Sequence, residues 1–208
     1  MSSVAWDGLT RERIVLASAS RTRAKLLTGA GIEFDVLPAR VDEDAGKASL
    51  KATGAAPSEI AAQLAELKAR QVSGRSPGRL VLGADQVMVC DGRMYDKPPD
   101  AAAAAAQLMA LRGRWHEQIS AACVVRDGER LWHHVDRARL HVRPFSEAFM
   151  QDYLRAAGPG ALNGPGAYQL EGVGVQLFLR VEGDFFTVLG LPLLALLDYL
   201  RSLGVIAT

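Results

Sequence analysis

The chain has 208 residues, 49% of them hydrophobic and 23% charged, enough for one large globular domain or two small lobes around a shared core. A net charge of +1 excludes the basic excess of a general nucleic-acid binder. No apolar run reaches the ~18 residues of a membrane span, and residues 1–12 lack the apolar middle of a signal peptide, so a cytoplasmic protein without a membrane partner is expected.

Residues 14–18 read as an apolar strand, followed by a Ser-rich turn and a helix over 21–29 closed by glycine. Arg21, Arg23 and Lys25 open that helix, although a helix N-terminus favours acids. A bound anion such as phosphate reconciles the two. A Ser18 or Ser20 N-cap with solvated cations fits the same residues. Residues 34–38 look extended, and Asp42-Glu43-Asp44 reads as an acidic loop. Pro57 starts a helix to about Val72, with Ile60, Leu64, Leu67 and Val72 on its apolar face. A strongly apolar strand covers 80–90 and turns at Asp91-Gly92. An Ala-rich, proline-started helix spans 98–111, ended by Gly113. Strands at 119–125 and 131–134 flank a second hairpin turn, Asp127-Gly128, and 137–142 alternates as a separate strand. Ser146 caps a helix to Ala157; the Gly-rich stretch 161–186 reads as mostly extended; an apolar helix with Pro192 in its first turn closes the chain over 190–203. Helices alternating with strands and hairpins predict an α/β fold: a mixed, twisted sheet flanked by helices, in two lobes with a central cleft.

The chemistry concentrates on few residues. Asp85 lies inside the run Leu80-Val-Leu-Gly-Ala-Asp-Gln-Val-Met-Val-Cys90, where an ionised carboxylate must be paired, hydrogen-bonded or metal-bound. Gly83 and Ala84 leave room for another group to approach it. A structural salt bridge satisfies the same local sequence. Lys97, before Pro98, is placed to meet a phosphate as a point charge, or to stand solvated at a helix entrance. Lys68 falls on a helix whose outer face takes charges. Glu43 is a candidate ligand, with Asp85, for a hard cation that also takes substrate phosphates. Phosphate-loop, dinucleotide, HExxH and paired CxxC motifs are absent, and His116, His133, His134 and His141 form no metal motif. Cys90 and Cys123 sit in apolar runs and read as buried free thiols.

In order, Leu16-Ala-Ser-Ala-Ser20, Arg23, Leu26-Leu27, Val41-Asp42-Glu43, Lys68, Gly83-Ala-Asp85-Gln86, Lys97-Pro98, Leu111-Arg-Gly113-Arg-Trp-His116, Gly166-Ala-Tyr168, Glu171-Gly172, Glu182-Gly183-Asp184 and Gly190-Leu-Pro-Leu193 resemble the Maf family of nucleoside triphosphate pyrophosphatases. The resemblance implies a Maf/ITPase-like domain over 13–208 behind an N-terminal extension at 1–12, and possible homodimers. It implies a hydrolase acting on acid anhydrides, converting a nucleoside triphosphate to the monophosphate and pyrophosphate with Mg²⁺ or Mn²⁺. It places Ser18, Arg23, Lys68 and Lys97 on the substrate, Glu43 and Asp85 on the metal, and Asp85 also at the attacking water. Thr22, Gln86 and Glu171 fall where base choice is tuned. The Gln86 and Glu171 pair resembles the 7-methyl-GTP branch more than the dTTP/UTP branch. Thr22 departs from both branches, and Asn163-Gly164-Pro165 departs from the usual polar turn. The same resemblance leaves a second class open: a nucleotide-binding regulator of septum formation, with the same phosphate pocket but no need for Glu43 and Asp85 together.

Overall fold

The computed structural model describes residues 10–208, so most of the expected N-terminal extension lies outside the described residues. In chain order the elements are β1 (Ile14–Leu16), α1 (Arg21–Gly29), β2 (Phe34–Val36), α2 (Glu43–Ala52), α3 (Pro57–Ser73), β3 (Val81–Cys90), β4 (Arg93–Tyr95), α4 (Ala101–Leu111), β5 (Trp115–Arg126), β6 (Glu129–Val142), α5 (Glu147–Ala157), β7 (Phe178–Glu182), α6 (Phe185–Val188) and α7 (Leu193–Ser202). The expected mixed α/β fold is present: a seven-stranded sheet in the order β2-β1-β3-β5-β6-β7, with β4 on β3. Strands β1, β2 and β3 are parallel, while β3–β4 and β6–β7 are antiparallel. Both Asp-Gly turns form as expected. Asp91 (φ 48°) and Gly92 (φ 76°), then Asp127 (φ 49°) and Gly128 (φ 81°), take the left-handed pair that a two-residue type I′ hairpin needs.

Five expectations are corrected. Asp42 to Asp44 is not a loop: Asp42 caps α2, its carboxylate accepting from Ala45 N at 2.9 Å, and Glu43 is the helix's first residue. No residue of α2 is buried, and its apolar residues are three alanines and Leu50. Helix α4 starts from an Asp100 cap rather than from Pro98, and Pro192 caps α7 rather than sitting in its first turn. The two strands expected at 131–134 and 137–142 are one, β6. The stretch 161–186 is not mostly extended: it holds 3₁₀ turns at Gly158–Leu162 and Val173–Leu177, strand β7 and the short helix α6.

The chain divides into two compact units, with β3, β5 and β6 each contributing residues to both. The first takes residues 10–85, Ser120–Asp136 and Gly190–Thr208. Ile14, Leu16, Leu27, Ile60, Leu64, Leu80 and Leu82 are fully or almost fully buried in it. Thr10 bridges Ile206, and Arg11 N donates to Val205 O at 2.7 Å.

The second unit takes Gln86–Ile119 and Arg137–Leu189. Its core gathers Met88, Leu108, Leu111, Leu140, Tyr168 and Leu177. One polar chain runs through it: Gln118 Nε2 donates to the Tyr168 hydroxyl at 2.8 Å, and that hydroxyl lies 2.7 Å from His116 Nε2. Burial pushes the His116 pKa down to about 4. An unfolded histidine titrates near pH 6.5, so the unfolded chain takes up this proton first as the solution is acidified. The stabilisation is therefore complete above about pH 6.5 and is lost as pH falls toward 4, amounting to about 3 kcal/mol. We expect urea unfolding at pH 7 and pH 4.5 to show His116→Gln losing less stability on acidification than the unsubstituted chain. Equal losses would refute a neutral buried imidazole.

Candidate active site

The turn between β1 and α1 is built from its two serines. Ser20 Oγ accepts from Arg23 N at 3.3 Å and so caps α1. Ser18 Oγ accepts from Ser20 N at 3.2 Å and from Arg23 Nη1 at 3.1 Å. Arg23 Nε donates to Gly190 O at 2.8 Å. The helix starts without an acid in its first turn. Of its three opening cations only Arg23 turns inward, at 8% exposure; Arg21 and Lys25 are exposed. The N-cap and the inward cation are thus both real, on different residues. Burial pulls the Arg23 guanidinium below its ordinary pKa, opposed by the charges of Asp85 and Glu43. Thr22 is half-buried in the same first turn.

Those two acids meet on one lysine. Lys68 Nζ lies 2.7 Å from Asp85 Oδ1 and 2.9 Å from Glu43 Oε1. Lys68 and Asp85 are buried, at 5% and 4% exposure, whereas Glu43 is close to half exposed. Lys68 is therefore not an outer-face charge of α3. The salt bridge that local sequence allowed for Asp85 exists, and it satisfies only half of the carboxylate: Oδ2 is buried with no hydrogen-bond partner. A buried carboxylate oxygen left this way is costly, and such atoms mark places where a ligand or ion completes the shell. Partial burial works against the charged form of Glu43. The charge and hydrogen bond of Lys68, aided by Lys47 and Arg23, nevertheless hold its carboxyl below the usual range.

Gly83 explains how an interior helix residue reaches a strand acid. A Cβ on Gly83 would stand 2.1 Å from Ala65 O and 2.8 Å from Ala69 Cβ. Strand β3 and helix α3 therefore touch backbone to backbone one turn before Lys68. The room expected beside Asp85 is taken up by α3 itself. The sequence signal for this contact is a glycine inside an otherwise unbroken apolar run.

Gln86, Lys97 and Glu171 belong to the second unit. Gln86 Nε2 donates to Thr187 O at 3.2 Å and Val188 O at 2.9 Å. Lys97 is exposed in the segment between β4 and α4, and Glu171 is exposed ahead of the Val173–Leu177 turn. Among the described residues no group of three or more His, Cys, Asp or Glu gathers, so a cation at Glu43 and Asp85 would have two protein carboxylates. That donor set suits a hard ion that keeps water and shares substrate phosphates. No helix among the described residues is long and apolar enough to cross a membrane.

The family model described as Maf-like protein matches residues 13–203. The chain is 55% identical over 190 residues to a nucleoside triphosphate pyrophosphatase of Paramagnetospirillum magneticum, covering 91% of this chain and 98% of the relative. It is 52% identical over 197 residues to a protein of the same name from Nitrobacter winogradskyi, covering 95% and 96%. It is 49% identical over 194 residues to a 7-methyl-GTP pyrophosphatase of Rhizobium etli, covering 93% and 98%.

Proposed function

The chain belongs to the Maf-like protein family, and from that membership together with the geometry around Asp85 we infer that it hydrolyses a nucleoside triphosphate to the monophosphate and pyrophosphate. The observation that carries the reading is the Asp85 carboxylate, buried, held by Lys68 through one oxygen and unpartnered at the other. Water attacks the α-phosphorus in line. The new bond is water oxygen to α-phosphorus, the bond to the α–β bridging oxygen breaks, and pyrophosphate departs with that oxygen. Asp85 orients the water and accepts its proton. Arg23, fixed through Ser18 and Gly190, has guanidinium donors suited to phosphate oxygens. Lys97 adds charge against the leaving group. The protein forms no covalent bond in this scheme, so positioning and charge neutralisation lower the barrier.

The residues fit a divalent cation, since Asp85 Oδ2 lacks a partner and Glu43 carries the second carboxylate. Mg²⁺ or Mn²⁺ held by Glu43 and Asp85 would neutralise phosphate charge and acidify a bound water. Base preference follows the 7-methyl-GTP branch, supported by Gln86 and Glu171 and by relatives of that name at 49% and 48% identity. Thr22 is the third position facing that choice. Two buried free thiols, Cys90 and Cys123, suit a reducing cytoplasm. Pyrophosphate release measured across canonical and methylated nucleoside triphosphates, with Mg²⁺ and with Mn²⁺, is expected to be fastest for 7-methyl-GTP. Equal rates on all bases would remove the base assignment, and release from none would remove the reaction.

A further inference from the structure

We infer that Lys68 is the internal counter-cation of the site: its ammonium clamps Glu43 and Asp85 in ligand geometry and yields that position to a divalent cation, which makes cation loading depend on the nucleotide. The inference rests on the pyrophosphatase reading above and adds the regulation of its cation site. Three observations carry it. The two carboxylates available to a cation both face one ammonium, at 2.7 and 2.9 Å. That ammonium is buried on a helix whose backbone is fixed against β3 at Gly83, so its base cannot drift while its flexible stem can. Asp85 still carries a buried oxygen with no hydrogen-bond partner, so the lysine leaves the acid half satisfied.

Charge decides the order of events. Glu43 and Asp85 contribute two negative charges, and Lys68, Arg23 and Lys47 contribute three positive charges around them. A dication arriving alone therefore meets carboxylates already compensated. A triphosphate brings several negative charges to the same place. With it present, the ammonium has phosphate oxygens to move to, and the carboxylates are released for the cation. Lys68 then both protects Asp85 from an uncompensated buried charge in the empty site and restricts cation uptake to the loaded one.

The test measures cation binding and stability rather than turnover. Isothermal titration of Mn²⁺ alone into the nucleotide-free full-length protein is expected to give weak binding. Lys68→Met, which keeps the unbranched stem and removes the ammonium, is expected to bind Mn²⁺ at least tenfold more tightly. Its Tm should fall in chelator and be recovered by Mn²⁺, while the Tm of the unsubstituted chain moves little. Should Lys68→Met fold only when Mn²⁺ is present, that dependence supports the clamp directly; Lys68→Gln, which retains a donor, serves for the titration. Unchanged or weaker Mn²⁺ affinity in both variants, with no recovery of Tm, overturns the inference. If the unsubstituted protein still releases pyrophosphate in that case, the enzymatic reading stands without it. If it releases none from any nucleotide, both fall.

Discussion

Asp85→Asn is expected to fold and to lose at least ~10²–10³ in the rate of pyrophosphate release, the usual cost of removing one preorganised electrostatic contact from a reacting centre. The substitution is nearly isosteric, and the amide keeps an oxygen where Oδ1 accepts from Lys68 at 2.7 Å. Glu43 remains on the same ammonium, so Lys68 is not left uncompensated. What disappears is the negative charge and basicity of the second oxygen, the one with no hydrogen-bond partner. Stability and turnover therefore separate: we expect an unfolding free energy within about 1.5–3 kcal/mol of that of the unsubstituted protein, the range for a hydrogen bond to a charged group. Steady-state assays at saturating nucleotide, paired with urea unfolding of the same samples, read both quantities. Turnover within tenfold of the unsubstituted enzyme would remove Asp85 from the reaction, and a loss confined to stability would make it a purely structural partner of Lys68.

The residues that were legible in the sequence are those whose local surroundings contradict their chemistry. Asp85 stands out because an acid interrupts an apolar strand, and Arg23 because a helix N-terminus ought not to gather cations. The Asp-Gly turns and helix α3 follow from backbone preference and apolar period, and both are present. Helix α2 escaped because its apolar face is made of small alanines with a single leucine, so its clearest signals are the Asp42 cap and its first-turn acids Glu43 and Asp44. The 161–186 segment escaped because its turns rest on glycines at positive φ, Gly166 and Gly183, and not on a period. Most telling is Lys68. Seventeen residues separate it from Asp85, and nothing in that spacing pairs them. The pairing depends on a tertiary contact at Gly83, which a one-dimensional pattern marks only as a missing side chain.

That contact sets the second large effect. Gly83→Ala is expected to destabilise the fold by at least about 3 kcal/mol, at or beyond the upper end of ordinary overpacking. The added methyl would meet Ala65 O at 2.1 Å and Ala69 N at 2.9 Å, and both are backbone atoms inside α3 that no rotamer change can move. Strand β3 cannot retreat either, because Val81 and Leu82 are in register with Val15 and Leu16 of β1. Relief requires α3 and β3 to separate, and Lys68 moves with α3 while Asp85 stays on β3. The folded fraction of Gly83→Ala is thus expected to lose pyrophosphate release as well, although residue 83 itself contributes no functional group. Gly29→Ala is the matched control: it lies at the end of α1 with nothing within 4 Å of the new methyl, and it should be neutral or slightly stabilising. Urea unfolding of the two variants side by side decides the matter. Equal midpoints would mean that the close approach of helix to strand is not what places Lys68 against Asp85.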